Sequence, residues 1–234
     1  RLSLEAPEEF STITMLVKAP PAPFVPEDKV GSLVLMMFVA YSGPVERGPE
    51  VFEPFRALGE PVAEMIGPMP ISMLYTFAEQ SEQRGRMRVR NGFYREFNEE
   101  VIDAAIAFVN NGPMSMNTLQ IRPIGNGAMQ RVPAEATAFS HRQANFLLAI
   151  IDHWEAEEAD QENANWVDSF WQAISVYREG NYSNFLQDEG EARVREAYSR
   201  AAFEKLAQVK LKYDPTNLFR GNENIAPQPL SAVA

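Results

Sequence analysis

The sequence contains two pairs of polar residues whose members are two positions apart. In an extended backbone, this spacing turns both members of a pair to the same side. Gln120 and Arg122 alternate with apolar residues in a predicted strand, and Tyr182 and Asn184 follow a glycine turn. Spacing alone favours ordinary roles: a solvated strand face for the first pair, and turn residues packed on the core for the second. The chemistry of these side chains nevertheless makes both pairs candidates for a binding or catalytic site.

Arg122 and Tyr182 carry the most versatile groups of the four. A guanidinium binds a carboxylate through two parallel hydrogen bonds, so Arg122 could hold an acidic substrate or support negative charge on a neighbouring phenol. A phenol exchanges its proton near neutral pH only when positive charge or hydrogen-bond donors lie beside it. The acidic run Glu155–Glu162 shows no catalytic spacing, and we expect a solvated loop or helix start there.

Several other kinds of site are excluded by residue type. The chain has no cysteine, which rules out thiolate catalysis, cysteine-bound metal and disulfides within it. His141 and His153 are its two histidines, and neither has a carboxylate cluster at ligand spacing. The sequence therefore predicts no metal site.

The charge balance and the apolar runs limit the partners. Lysine and arginine total 21 against 32 aspartates and glutamates, a formal charge of −11 that repels phosphate backbones and anionic lipid. No apolar run is long enough to span a bilayer, and Arg1–Phe10 lacks the apolar core of a signal peptide. We expect a soluble protein that binds neither nucleic acid nor membrane, with a cytoplasmic location slightly favoured.

Hydrophobic spacing predicts a mixture of strands and helices. Alternating or short apolar runs predict strands at Thr12–Val17, Val30–Tyr41, Val62–Ile66, Arg86–Phe93, Ser115–Ile124 and Asn145–His153. Spacing near 3.6 predicts helices at Pro49–Leu58, Ile71–Glu79, Phe97–Val109, Trp166–Tyr177 and Glu191–Lys212. Val30–Tyr41 is almost wholly apolar, which predicts a central strand buried on both faces.

The order of these elements predicts the fold class. Connections poor in helix, such as the one between the last two strands, favour an α+β fold with an antiparallel sheet and helices covering one face. The polar stretch Glu155–Asn165 then separates a sheet domain, residues 1–165, from C-terminal helices and a tail, residues 166–234. We expect this second part to dock onto another domain.

Four stretches resemble a known family, and they occur in the order that the family has. They are Leu119–Gly127 (LQIRPIGNG), Thr137–Arg142 (TAFSHR), Asn181–Glu189 (NYSNFLQDE) and Leu211–Pro227 (LKYDPTNLFRGNENIAP). The last is similar, without gaps, to the C-terminal signature of the berberine bridge enzyme-like FAD-linked oxidases, flavoproteins of the vanillyl-alcohol oxidase type. The chain thus resembles the substrate domain and tail of that family.

The resemblance implies a function and roles for the two polar pairs. It implies an FAD-linked oxidoreductase that oxidises an alcohol group of a sugar or secondary metabolite by hydride transfer to flavin. Tyr182 would be the catalytic base beside the flavin, and Asn184 would bind the cofactor or fix Tyr182. Gln120 and Arg122 would line the cavity of the small-molecule substrate, while His141 would brace the strand that follows it.

The resemblance also implies that the FAD is held mostly by a domain or subunit outside this chain. The family's glycine-rich loop and its flavin-linking histidine have no counterpart in the sequence, so we expect an FAD-binding partner and an enzyme that is incomplete in this chain. An alternative remains open at this stage. The chain would then be a non-catalytic α+β module for binding or dimerisation, derived from such an enzyme.

Overall fold

The fold is taken from a computed structural model that describes residues 1–75, 85–113, 117–221 and 223–228. Its strands are β1 (Phe10–Lys18), β2 (Leu33–Tyr41), β3 (Arg86–Tyr94), β4 (Thr118–Pro123) and β5 (Phe146–Trp154). Its α-helices are α1 (Leu2–Glu5), α2 (Gly48–Arg56), α3 (Glu99–Asn110), α4 (Ala128–Arg131), α5 (Asp160–Ile174), α6 (Glu191–Glu196) and α7 (Arg200–Tyr213). Short 3₁₀ turns lie at Glu27–Lys29, Val45–Arg47, Ala134–Ala136, Glu157–Ala159, Ser175–Tyr177 and Ser183–Phe185.

The five strands form one antiparallel sheet in the order β2-β1-β4-β5-β3. Helices α3 and α5 pack against one face of it, which we call the helix face, and the opposite face is called the second face. This arrangement confirms the predicted α+β class, with an antiparallel sheet and helices over one face. Within the described residues no helix has the length and apolar character needed to cross a bilayer.

The helix face carries the main core because the sequence places its largest apolar side chains there. From β5 it takes Phe146, Leu148 and Ile150, and α5 contributes the fully buried Phe170. The ring of Phe170 stacks on Phe108 of α3 with centroids 4.9 Å apart. Burial of such side chains contributes about 1.5–3 kcal/mol each, so this layer supplies much of the stability.

Most of the predicted elements occur, but two strand predictions are wrong. β2 lies at an edge of the sheet, paired with β1, and Leu35 is 56% exposed, so it is not a central strand buried on both faces. An apolar run shows that a strand could be buried. It does not show how many strands will pair with it. Val62–Ile66 forms no strand, and its apolar side chains are exposed.

The helix predictions differ from the structure mainly at their ends. α5 begins at Asp160, inside the stretch predicted to be a polar break, so the expected domain boundary after residue 165 falls within this helix. The predicted helix Glu191–Lys212 is divided into α6 and α7, because Ser199 caps α7 by accepting a hydrogen bond from the Ala202 amide at 3.1 Å. The predicted helix Ile71–Glu79 and strand Ser115–Ile124 lie partly outside the described residues.

Candidate functional site

A polar stripe runs along β4 on the second face of the sheet. Thr118, Gln120 and Arg122 are paired across the sheet with Ile151, Ala149 and Leu147 of β5, so all three side chains point to the same face. Each holds a buried polar atom that has no hydrogen-bond partner among the described residues: Oγ1 of Thr118, Oε1 of Gln120 and Nη1 of Arg122. Buried polar groups in folded proteins are nearly always paired, so this stripe is suited to a ligand, water or another domain.

Asn91, on β3, extends this polar surface beyond β5. It is fully buried and is paired with Ala149 of β5, which is also the cross-strand partner of Gln120 on β4. The small Ala149 side chain therefore separates two amides. The Oε1 atom of Gln120, an acceptor, and the Nδ2 atom of Asn91, a donor, both lack a partner within the described part of the chain.

Tyr182 and Asn184 lie over the same face and contact each other. The Tyr182 backbone N–H donates a 2.7 Å hydrogen bond to Oδ1 of Asn91, which anchors the segment to β3. The Asn184 side-chain amide donates to the Tyr182 hydroxyl oxygen at 3.0 Å. A donor at this oxygen supports negative charge that develops there and leaves the hydroxyl hydrogen free to turn toward a ligand.

An aromatic cluster joins Tyr182 to the β4 stripe. The Tyr182 ring packs edge-on against Phe93 and Phe185, with centroids 6.3 and 5.4 Å apart. The guanidinium carbon of Arg122 lies over the Phe185 ring, 4.8 Å from its centroid. The structure therefore brings Tyr182, Asn184 and Arg122 together, and it places Gln120 beside Arg122 on the same strand face.

The segment that carries Tyr182 is held along the free edge of β3 by side chains that imitate a strand. The Gln187 side-chain amide accepts from the Val89 N–H at 3.0 Å and donates to the Met87 carbonyl at 3.1 Å. Farther along, Arg193 donates to the Asn91 carbonyl at 3.2 Å. Backbone groups of an edge strand that would otherwise lack partners are thus satisfied, and the position of Tyr182 is fixed.

An ion-pair network anchors the other end of this segment. Glu189 lies between two arginines, 3.0 Å from Arg193 and 3.6 Å from Arg90, and Arg90 also contacts Asp168 of α5 at 2.8 Å. Arg193 extends the network to Glu196 at 2.8 Å. Because Glu189, Arg90 and Arg193 are almost completely buried, these charges are weakly screened and tie the segment to α5 and β3.

His141 has a structural position, packed behind the aromatic residue that also contacts Tyr182. Its ring stacks on Phe93 with a centroid distance of 4.7 Å, and its Nε2 atom lies 3.1 Å from the Glu196 carbonyl. Burial lowers the pKa of His141. A Cβ atom at Gly180 would overlap this ring, which explains the glycine at the start of the Tyr182 segment.

The tail folds back on α7 around a single carboxylate. Asp214 ends the helix and accepts hydrogen bonds from the Leu218 and Phe219 N–H groups at 2.8 and 3.0 Å. Lys210 lies 2.5 Å from Asp214, and these donors together lower the pKa of the carboxyl. Leu218 and Phe219 themselves remain 73% and 77% exposed.

Sequence reasoning missed three residues of this site. Asn91 interrupts the apolar positions of β3 and Thr118 begins β4, and a polar residue at either place is ordinarily assigned to solvent. Gln187 lies outside any periodic element, and its partners are 98 and 100 positions away in sequence. Thr118 has the spacing of Gln120 and Arg122, so an unbroken period-two polar run was a usable signal for it.

Comparisons with known proteins agree on the kind of molecule. The family model described as berberine and berberine like matches residues 181–226. An FAD-linked oxidoreductase of Dictyostelium discoideum is 24% identical over 195 residues, which covers 82% of this chain and 42% of the relative. Berberine bridge enzyme from Eschscholzia californica has a TM-score of 0.77 at 15% identity, covering 97% of this chain and 50% of that one. Chitooligosaccharide oxidase has a TM-score of 0.73 at 16% identity, covering 97% and 50%.

These matches cover the Tyr182 segment and the fold. The family model includes Tyr182, Asn184 and the tail up to residue 226, and the solved structures share the fold over nearly the whole chain. The chain spans about half the length of the relatives that it matches. In sequence and fold, the chain is similar to part of the berberine bridge enzyme-like FAD-linked oxidoreductases.

Proposed function

We propose that this chain forms the substrate side of an FAD-dependent oxidoreductase that oxidises an alcohol group of a sugar or secondary metabolite. The observation that carries the proposal is the β4 stripe of unmatched buried polar atoms beside the bonded pair Tyr182 and Asn184. Unsatisfied buried polar groups cost about 1–3 kcal/mol each, so a fold retains them where a ligand completes them. The helix face of the same sheet has an apolar core at the corresponding positions.

The Tyr182 segment carries the cofactor contacts that we propose. Asn184 and Tyr182 are bonded to each other, and together they offer amide and hydroxyl groups to the edge of a flavin. FAD, when bound, supplies the hydride acceptor for the oxidation.

The roles of the chain's own residues follow from their contacts. Tyr182, as its phenolate, would take the hydroxyl proton of the substrate and become neutral, and the Asn184 amide donor would stabilise the phenolate before that transfer. Gln120 and Arg122 would line the substrate cavity and orient the alcohol, because both point from β4 toward the space beside Tyr182.

The C-terminal part would dock onto the FAD-binding domain. Tyr213, Leu218 and Phe219 are between 73% and 77% exposed at the end of α7 and in the tail, although large apolar side chains are ordinarily buried. We therefore retain a sheet domain and a C-terminal docking region, residues 1–165 and 166–234, as a proposal. Because α5 belongs to the core of the sheet, the docking surface would begin after Ile174.

The names of similar proteins support this chemistry. The Dictyostelium discoideum relative is an FAD-linked oxidoreductase, and one structural neighbour is a chitooligosaccharide oxidase. Both names agree with a flavin-linked oxidation, and the second indicates a carbohydrate alcohol. A sugar or a similarly polyhydroxylated molecule would suit the hydrogen-bonding groups of Thr118, Gln120 and Arg122.

The test uses the full-length protein purified with its flavin. Intact mass and a visible absorption spectrum first establish that the flavin is present, and anaerobic mixing with a panel of sugars and alcohols follows. We expect at least one compound to bleach the flavin band in a stoichiometric reaction. If dithionite bleaches the band and no alcohol or sugar does, the oxidoreductase proposal is wrong and a non-catalytic binding module is the better account.

A further inference from the structure

Arg122 is half-buried, with its Nη1 atom fully buried, and it differs from other arginines with limited exposure in having no partner for its charge among the described residues. Arg90 and Arg193 form ion pairs with carboxylates, and Arg142 donates to the Met129 carbonyl and the Thr137 hydroxyl at 2.9 and 2.7 Å. Arg122 forms neither an ion pair nor a hydrogen bond with any residue in ranges 1–75, 85–113, 117–221 and 223–228. Its contact with the Phe185 ring leaves its N–H groups unpaired.

This situation is energetically unfavourable for the protein alone. Burial lowers the pKa of the Arg122 guanidinium, yet an arginine remains charged at any physiological pH. Removing part of a charged group from water is unfavourable unless that part is paired, and Nη1 is the atom of the guanidinium that is fully buried. The position therefore indicates a partner of opposite charge that the described chain does not itself provide.

The location of Arg122 indicates which partner this is. Its strand neighbour Leu147 packs in the cluster of Phe93 and Ala144, against which Tyr182 and Phe185 also pack. One aromatic ring, that of Phe185, separates the guanidinium from the ring of Tyr182. A molecule that presents its hydroxyl to Tyr182 would therefore have its far end near Arg122.

We propose that Arg122 binds a carboxylate of the substrate, so that the site selects alcohols that also carry an acid group. This inference rests on the proposed function, and it adds the substrate class. Because a whole ring lies between the two groups, the carboxylate would stand several bonds from the reacting hydroxyl, as in a uronic acid or a hydroxymethyl aryl acid. A simple 2-hydroxy acid would be too short to reach both groups.

The neighbours of Arg122 suit this ligand. Planar guanidinium groups bind carboxylates through two N–H donors, and the unpaired Nη1 atom is one of them. Gln120 and Thr118, on the same strand face, leave acceptor oxygens for hydroxyl groups on the rest of the molecule. The stripe thus has a cationic group, Arg122, at one end and the neutral polar groups of Gln120 and Thr118 along the rest of its length.

Binding of matched charged and neutral ligands tests the proposal without depending on turnover. Calorimetry on the full-length flavoprotein would compare methyl glucuronide with methyl glucoside, and 4-(hydroxymethyl)benzoate with the corresponding amide. We expect at least one acid to bind about tenfold or more tightly than its neutral counterpart in the unmodified protein. Arg122→Met should abolish that preference, and Arg122→Lys should retain part of it.

Arg47→Met is the matched control, because Arg47 is an exposed arginine whose removal changes the net charge equally. It should leave the preference unchanged. Equal binding of both acids and their neutral counterparts, or a preference that survives in Arg122→Met, would overturn the inference. Loss of the flavin spectrum in Arg122→Met would also overturn it, since the arginine would then hold the cofactor.

The two proposals can fail separately. If neutral alcohols reduce the flavin and Arg122 confers no preference for acids, this inference fails and the oxidoreductase proposal stands. If acids bind through Arg122 but no alcohol reduces the flavin, acid binding stands and the oxidoreductase proposal fails.

Discussion

The two faces of the sheet are built on opposite principles. The helix face buries Phe146, Leu148, Ile150 and Phe170 against α3 and α5. The second face has a smaller apolar cluster at the β3–β5 end, and the β4 stripe beside it leaves polar atoms buried and unmatched. The apolar core of the helix face stabilises the fold. The unpaired polar atoms of the second face lower that stability, and they are groups suited to bind a ligand.

Strand geometry lets the same strands contribute to both faces. Alternation sends every second residue of β4 and β5 to each face, so an apolar set and a polar set coexist in adjacent positions. The rigid core behind the stripe fixes the strand on which Gln120 and Arg122 stand. Sites on strands braced in this way hold their geometry better than sites on free loops.

The largest effect on stability should come from the helix face. Phe170→Ala removes a fully buried ring that stacks on Phe108, and we expect a loss of about 3–5 kcal/mol in the free energy of unfolding. Urea denaturation would measure it. The control Ile106→Ala, in which the side chain is 45% exposed, should lose far less; equal losses would contradict the assignment of the core to this face.

A medium effect is expected where the Tyr182 segment meets the edge of β3. Gln187→Leu leaves the Val89 N–H and the Met87 carbonyl without partners, and we expect a loss of about 1–3 kcal/mol by the same method. Gln187→Glu keeps the acceptor for the Val89 N–H, but its carboxylate would face the Met87 carbonyl oxygen, so this variant should lose stability too. If both variants were as stable as the unmodified protein, the side chain would not be holding this segment.

A change on the second face should separate stability from function. Gln120→Leu replaces a side chain whose buried Oε1 atom has no described partner, so we expect unfolding stability to stay within about 0.5 kcal/mol or rise. The specificity constant kcat/KM of the full-length enzyme should fall in the same variant. A clear loss of stability with unchanged kinetics would show that Gln120 is structural.

The smallest effect concerns pH. Burial lowers the pKa of His141 in the folded chain, so below about pH 6.5 the unfolded chain binds a proton that the folded chain resists. The stability from neutral His141 is therefore complete above that pH and is lost as the pH falls. Denaturation at two pH values should show less acid sensitivity in His141→Gln than in the unmodified protein; equal sensitivity would contradict this.

Much of the fold was predictable from the sequence because the periodic signals were strong. β3, α3 and β5 occur where alternation or helical spacing placed them, and the antiparallel α+β class followed from their order. Strand neighbours were not predictable in the same way. Residues 30–41 are apolar enough for a central strand, yet β2 ends the sheet, since the pairing order depends on contacts distant in sequence.

The candidate site was predictable only in part, for the same reason. Arg122 and Tyr182 were candidates because of residue type together with the resemblance to the berberine bridge enzyme-like family, and the structure brings them to one aromatic cluster. The contribution of Asn91 depends on a hydrogen bond to Tyr182, 91 positions away, and no local pattern indicates such a contact. Residue chemistry can indicate candidate site residues. Which of them lie together depends on the register of the sheet, which the sequence does not reveal.

The most direct test of the central claim is the rate of flavin reduction in Tyr182→Phe. The full-length enzyme would be mixed anaerobically with a saturating alcohol substrate in a stopped-flow instrument. We expect the rate to fall about 10²- to 10⁴-fold while the flavin spectrum is retained. Tyr41→Phe, at the far edge of the sheet in β2, should reduce its flavin at the rate of the unmodified enzyme. An unchanged rate in Tyr182→Phe would contradict the claim that the second face carries the reaction.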